Sequence, residues 1–490
     1  MAHALATYTP RDSSRTVLYT VIADHLETFL ASLDDDPDAT GLPAYVQREF
    51  YAYLQCGILA HGFLRLGCDT CPKELLLPFS CKRRGFCPSC AARRMTQTAA
   101  HLVTCVLPWV PTRQWVVSVP VPLRYWMAAS QELTAQVHTI IRTTIGQYYV
   151  NQAVTRGLPR ANVQPGSVTF IQRFGSALNL HLHFHCVFLE GVYCDRTEAS
   201  RKPRFVKSEA PTDTDIAAVV QKISHRVIRK LRSLRYLEAG GDAAVATGYD
   251  PLVDDEPALA RTLAASVTQR IAFGERAGQK VRRIGAGFGS EGEVPTLTGP
   301  HCASVQGFSV HAHTQVPAHR RDELERLLRY TARGAVSLER LAQDANGDLV
   351  YTFTHPWSDG TTGIRLTPLE LLEKLAALIP LPHSHLVRYS GCLAPHSHWR
   401  GCVIPTPRQQ GMDGEAPPGT SYWPWARLLG RVFGLDISTC PFCRRGSLRI
   451  IAVITQGEVL SKILRHLKLS ADPPPIAPAR CRQATFDWVP

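Results

Sequence analysis

The chain has 490 residues, is 45% apolar and 19% charged, and carries a net charge of +13. That length suits several buried cores, and the balance is that of a globular protein rather than a disordered one. A pI near 9.2, carried largely by arginine, suits a polyanionic partner, because the planar guanidinium fork matches phosphate. No apolar run approaches the ~18 residues of a membrane span, and residues 1–15 lack the apolar core of a secretion signal. The expected location is cytoplasmic, associated with the nucleoid, with no membrane partner. Fifteen cysteines in such a chain argue against a disulfide framework.

In chain order, residues 1–45 read as a leader with one helix, Leu18 to Leu33, closed by Asp34-Asp35-Asp36-Pro37. Residues 47–66 read as a second helix interrupted by Gly57 and Gly62, and a basic helix is expected from Ala91 to Leu107, stopped by Pro108 and Pro111. Gln114 to Val119 is a strand signal and Gln131 to Val154 a helix. Ser167–Phe174 and Ala177–Leu189 then form a β-hairpin around Gly175-Ser176. Residues 195–210 read as a polar, basic loop. Amphipathic helices are expected over Ile216–Leu237 and Ala258–Phe273, followed by a Gly/Arg-rich loop, 274–292.

Further on, Gly307–Thr314 and Leu349–Thr354 read as strands, with one or two helical segments between Arg321 and Leu341. Thr367-Pro368-Leu369-Glu370 is a capping box with proline at the first helical position. A Pro/Gly-rich linker (404–420), a helix (Trp425–Val432), a strand (Leu448–Ile454) and a helix from Glu458 precede a Pro-rich, mobile tail.

Three constellations carry chemistry. Cys68-x-x-Cys71 and Cys87-x-x-Cys90 are two pairs at zinc-knuckle spacing. Four thiolates would close a tetrahedral structural zinc site, with Cys81 between the pairs able to replace one ligand. Lys82, Arg83, Arg84, Arg93 and Arg94 surround it, as suits a module that touches nucleic acid. Cys440-x-x-Cys443 is a further, isolated pair.

The second constellation is His181, His183 and His185. Side chains two apart on a strand share a face. The histidines therefore lie on one side and Leu180, Leu182, Phe184 and Cys186 on the other, so imidazoles can converge on a divalent metal while the strand packs on a core. The third is Tyr330, on an amphipathic helix whose apolar stripe is Leu324, Leu327, Leu328 and Thr331, with Arg326, Arg329 and Arg333 nearby. A phenol so placed is a candidate nucleophile for phosphoryl transfer.

The runs Cys56-Gly57-Ile58-Leu59-Ala60-His61-Gly62-Phe63, Phe79-Ser80-Cys81-Lys82 and Gly85-Phe86-Cys87-Pro88-Ser89-Cys90, with Arg93-Arg94-Met95, resemble the zinc-binding module of insertion-sequence ninety-one family transposases. Arg113-Gln114-Trp115-Val116 and Gln172-Arg173-Phe174-Gly175-Ser176 through Gly191-Val192-Tyr193 resemble their catalytic domain. Leu386-Val387-Arg388-Tyr389 with Gly391, and Arg431-Val432-Phe433-Gly434, resemble the C-terminal part.

The resemblance covers about residues 45–455 and implies rolling-circle transposition by an HUH endonuclease. The implied fold is α+β, an HUH-type antiparallel sheet backed by helices, with a zinc-binding module over 46–107, a catalytic domain over 108–380, a C-terminal domain over 381–470 and a tail over 471–490. His183-Phe184-His185 matches the His-hydrophobe-His motif. The pair would hold Mg2+ or Mn2+, with Gln172, His181 or His311 as third ligand. Tyr330 would become joined to the 5′ phosphate of single-stranded element ends. The family's paired tyrosines lie four apart on a helix; Tyr330 matches the second and Arg326 stands at the first, which implies a one-tyrosine variant or a degraded copy. The alternatives are a non-catalytic zinc DNA-binding regulator and a plasmid-type replication initiator or relaxase.

Overall fold

A computed structural model describes residues 6–7, 12–34, 41–195, 203–238, 250–285, 299–405, 435–436 and 439–480. The expected helix over Trp425–Val432 and nearly all of the 404–420 linker lie outside them. The fold is α+β with antiparallel sheets, as the sequence implied.

Helices α1 (Val17–Asp34) and α2 (Ala44–Gln55) open the chain. The expected second helix stops at Gln55; Phe63–Cys68 is instead a strand, β1, paired with β2 (Glu74–Pro78). Gly62 makes this break with φ of +114°, a backbone conformation that side-chain-bearing residues disfavour. Helix α3 (Pro88–His101) takes proline in its first turn and runs into a π-helical turn, Leu102–Val106.

The central sheet begins with β3 (Thr112–Ser118). Helix α4 (Val121–Ala129), absent from the sequence reading, separates β3 from the long α5 (Gln131–Thr155). The hairpin follows as β4 (Gly166–Phe174) and β5 (Leu180–Leu189). Helices α6 (Asp213–Ser233) and α7 (Pro257–Val267) come next, then β6 (Cys302–Val305), β7 (Phe308–His311) and α8 (Arg321–Thr331). Helix α9 (Pro368–Leu378) carries both arms of the Thr367–Glu370 capping box. Strands β8 (Val387–Gly391) and β9 (Leu448–Ile454) and helix α10 (Gly457–His466) finish the described chain.

The central sheet runs β6-β7-β3-β5-β4-β8, with the short strand Gln315–Val316 also on β3. Strand β5 is thus interior, with β3 pairing Val116 to His185 and β4 pairing Gln172 to His183. One face carries Trp115, Val117, Leu182, Phe184 and Phe188 into the main core. The other carries Val168, Phe170, Val187 and Leu189 under Leu324 and Leu328 of α8 and Leu102 and Val106 of the π turn. Two-faced coverage explains why β5 is nearly continuous in burial.

Strand β9 pairs with β1 across the length of the chain, so a three-stranded sheet joins the two ends. The Pro-rich stretch is fixed against α1 as far as it is described: Ala477 N donates to Ala23 O at 2.9 Å and Arg480 N to Thr28 Oγ1 at 3.0 Å. The end of the described tail thus lies against α1 rather than free of the fold.

At the end of β5, Arg113 and Glu190 form a buried ion pair. Arg113 Nε donates to Glu190 Oε1 at 2.7 Å, Arg113 Nη1 to the Ala312 carbonyl at 2.8 Å, and Gln315 Nε2 to Glu190 Oε2 at 2.8 Å. Removing one partner would strand a charge in the interior. Glu190→Ala is expected to cost about 3–5 kcal/mol, read from equilibrium urea unfolding; a loss below about 1 kcal/mol, the range of exposed pairs, would contradict this.

Candidate active site and cysteine centres

The period-2 alternation of β5 places His181, His183 and His185 on the face that meets α8. Within that row, His183 Nε2 and His185 Nε2 face each other at 3.0 Å. His183 Nδ1 donates to the His181 carbonyl at 2.8 Å, leaving the Nε2 lone pair directed at its neighbour. Gln114 Nε2 on β3 donates to His185 Nδ1 at 2.8 Å, which leaves His185 Nε2–H to donate to His183 Nε2. With the Gln114 oxygen turned to Nδ1 instead, His185 would also present a free Nε2 lone pair. Burial pushes His183 down to about 4. Burial, then His183 and Arg333, pushes His185 down to about 2. Both rings are neutral at pH 7, the state a metal requires.

Gln172 sits directly across from His183 on β4. Its Nε2 donates to the Thr331 carbonyl at 2.7 Å and to the Tyr330 carbonyl at 3.3 Å, which ties the end of α8 to the sheet. Its Oε1 is buried with no hydrogen-bond partner. An orphaned amide oxygen on the residue across from His183, together with the paired Nε2 atoms of His183 and His185, fits the ligand set of a hard divalent cation. His181 Nε2 is likewise buried without a partner, its ring 5.0 Å from that of His183. His311 is elsewhere: it shares the histidine face but is separated from His185 by Val116 of β3, and it groups with His301 and His313.

Tyr330 comes to the same place from α8. Its ring stands edge-on to His185 with centroids 6.1 Å apart, and it is 51% exposed, so a substrate can reach it. The Arg333 guanidinium lies over the ring at 4.1 Å. Arg326, one turn before Tyr330, pairs with Asp322 at 3.3 Å. Helix α8 is held at its other end by Arg321, which donates to the carbonyls of Val103, Leu107 (2.8 Å) and Pro108 (3.1 Å) and stacks on Trp109.

The cysteines assemble differently from the sequence expectation. Cys68, Cys71, Cys87 and Cys90 do not form one group. Cys87 and Cys90 meet Cys56 and Cys81, whereas Cys68 and Cys71 meet Cys440 and Cys443. In the first group, sulfur separations are 3.4 Å (Cys81–Cys90), 3.7 Å (Cys87–Cys56) and 3.8 Å (Cys56–Cys90). A tetrahedron with zinc–sulfur bonds of about 2.3 Å has edges of about 3.8 Å, so these spacings fit zinc. Cys56 closes α2, Cys87 opens α3 and Cys81 lies in the connection between β2 and α3. The Cys81 amide also donates to Cys56 Sγ at 3.3 Å.

Two family models match the chain. The transposase zinc-binding domain matches residues 21–119, and the family described as "Putative transposase" matches residues 166–400. The chain belongs to the insertion-sequence ninety-one family of transposases. No curated protein and no solved structure matches it. In this transposase, the zinc-binding match contains the whole Cys56 group, and the transposase match contains both histidines, Gln172 and Tyr330. A DNA substrate agrees with the net charge of +13. Among the described residues, no helix is long and apolar enough to cross a membrane.

Sequence reasoning missed Cys56 as a ligand and Gln114 as the residue that orients His185. Cys56 opens a motif used for the family resemblance, but it belongs to no C-x-x-C pair. Cys56→Ser is expected to remove one zinc per chain and lower the melting temperature by several degrees, since a structural zinc site contributes directly to folding. Elemental analysis and thermal scans read both. Full zinc content in the variant would return the site to another cysteine set.

Proposed function

We propose that this transposase cuts and rejoins single-stranded DNA through a 5′-phosphotyrosine on Tyr330, in a rolling-circle mode of transposition. The observation that carries the reading is the convergence of the His183 and His185 Nε2 atoms, 3.0 Å apart, the unpartnered Oε1 of Gln172 across from His183, and the exposed Tyr330 ring 6.1 Å from that of His185. Mg2+ or Mn2+, held there by His183, His185 and Gln172, would polarise the scissile phosphate.

The chain's own residues do the rest. Gln172 positions Tyr330 by gripping the carbonyls at the end of α8. Gln114 fixes the His185 ring. Arg333, over the phenol, places a cation where a phosphate approaching Tyr330 would pass. Arg124, whose charge reaches both His181 and His183, adds a second cation on that side. Tyr330 Oη attacks phosphorus, the new Oη–P bond forms as the P–O3′ bond breaks, and the 3′ oxygen leaves and takes a proton from solvent to become a hydroxyl. The phenolic proton passes to solvent, which the exposed ring reaches. The phosphodiester energy stays in the tyrosine ester, so a later 3′ hydroxyl can reverse the step without a nucleotide cofactor.

Arg326 cannot act as a second nucleophile, and it pairs instead with Asp322 one turn back along α8. One tyrosine then supports one covalent strand at a time in each chain. The preferred substrate is a single strand from an element end, because Tyr330 and the cation must straddle one exposed backbone.

The test is incubation of end-labelled single strands carrying the element end with Mn2+. Tyr330→Phe should bind DNA within about threefold of the unmodified protein and form no covalent adduct, because only the attacking oxygen is lost. His183→Ala should reduce cleavage by about 100-fold or more while leaving binding near normal. Normal adduct yield from Tyr330→Phe, or an equal loss of binding and cleavage in His183→Ala, would defeat the reading.

A further inference from the structure

The second cysteine group lies largely outside the activity above and half outside the zinc-binding match, which ends at residue 119. Cys68 ends β1 and Cys71 lies in the turn to β2. Cys440 and Cys443 lie in the turn that feeds β9. Cys68 Sγ and Cys443 Sγ are 3.7 Å apart, and so are Cys71 Sγ and Cys440 Sγ, though these pairs are 375 and 369 residues apart in the chain. Those spacings match the edges of about 3.8 Å expected for four thiolates on one zinc ion.

The surrounding backbone is built for thiolates. Thr70 N donates to Cys68 Sγ at 3.3 Å and Gly446 N to Cys443 Sγ at 3.4 Å. The two turns also bind each other: Asp69 N donates to the Ser447 carbonyl at 3.2 Å, and Ser447 N to Asp69 Oδ1 at 2.8 Å. Gly446 is required here, since a Cβ at that position would run into Cys68 Sγ, Thr70 Oγ1 and Asp69 Oδ1. Nothing in the sulfur geometry is that of a disulfide, and all four cysteines are free.

We propose that Cys68, Cys71, Cys440 and Cys443 bind a second structural zinc ion that clips the C-terminal segment, residues 439–480, onto the N-terminal module. The segment is then part of that module and not of a separate C-terminal domain. The clip starts the β1–β9 pairing at Leu448–Cys68 and lets Leu460 and Leu464 of α10 cover Phe63. Such a closure has a large entropic term to offset, because the loop it closes is hundreds of residues long. Metal ligation provides this where a reducing environment would undo a disulfide. Four thiolates select zinc over magnesium or manganese, so this centre does not compete with the histidine site for its cation.

The test uses the full-length chain and needs no DNA, so it is independent of the proposed cleavage chemistry. Elemental analysis of the purified protein should give two zinc ions per chain. Cys440→Ser/Cys443→Ser should retain one, and amide exchange over 448–454 should rise at least tenfold while that over 88–101 is unchanged. Alkylation of the unmodified protein gives a second readout that does not depend on a variant folding. Cys68, Cys71, Cys440 and Cys443 should be protected together relative to the exposed Cys402, and chelation should expose all four. One zinc per chain, two zinc ions retained by the double variant, or Cys440 and Cys443 alkylating as fast as Cys402 in the metal-replete protein would overturn the proposal.

Discussion

The side-chain period of β5 governs the geometry of the site. Leu180, Leu182, Phe184, Cys186 and Phe188 are driven into the core on one face, which leaves His181, His183 and His185 no choice but the other. A one-residue slip would exchange the two rows, turning three imidazoles into the apolar core and five apolar side chains toward α8, so the packing of the apolar row locks the register of the polar one. Pairing on both edges, with β3 and β4, prevents the strand from twisting away. Those two neighbours then supply Gln114 and Gln172 at the ring nitrogens and beside them. The histidine pair is thus preorganised by packing on the far side of the sheet, the arrangement that costs least to maintain during a reaction.

Helix α8 depends on a different support. Its Leu324 and Leu328 pack on the same sheet face, next to the π turn that continues α3. Arg321 binds the carbonyls of that turn and Gln172 binds the carbonyls at the helix end. Gly334, just past α8, lies so close to Ala91 that a Cβ there would strike it. Helix α3 in turn starts at Cys87 and Cys90. A physical chain therefore runs from the first cysteine group through α3 to Tyr330. Loss of that group would displace the tyrosine as well as soften the N-terminal module.

Much of this was legible in the sequence because it is local. The alternation of β5, the capping box at Thr367, the strand Leu448–Ile454 and the amphipathic stripe around Tyr330 are each determined within about a dozen residues. The cysteine groups were not. C-x-x-C spacing shows that two thiolates can share a metal but not which other pair joins them. Cys68 and Cys71 find their partners across some 370 residues, through strand pairing that no local pattern encodes. Cys56 belongs to no C-x-x-C pair, so spacing alone does not mark it. The stretch 47–66 has helical composition throughout, and only the φ of Gly62 and the β9–β1–β2 pairing turn its end, from Phe63, into a strand. Gln114 became informative only once β3 lay beside β5.

The central claim is that the histidine face and Tyr330 form one reaction centre. The most direct measurement is mass mapping of the covalent protein–DNA product trapped with Mn2+ on a single-stranded element end. Trypsin cuts after Arg329 and Arg333, which isolates Tyr330-Thr331-Ala332-Arg333 as a peptide with a single tyrosine. The account predicts nucleotide mass on that peptide, attached through a 5′ phosphate. Nucleotide mass on any other tyrosine, or no adduct from the intact protein with cation and element end supplied, would contradict it.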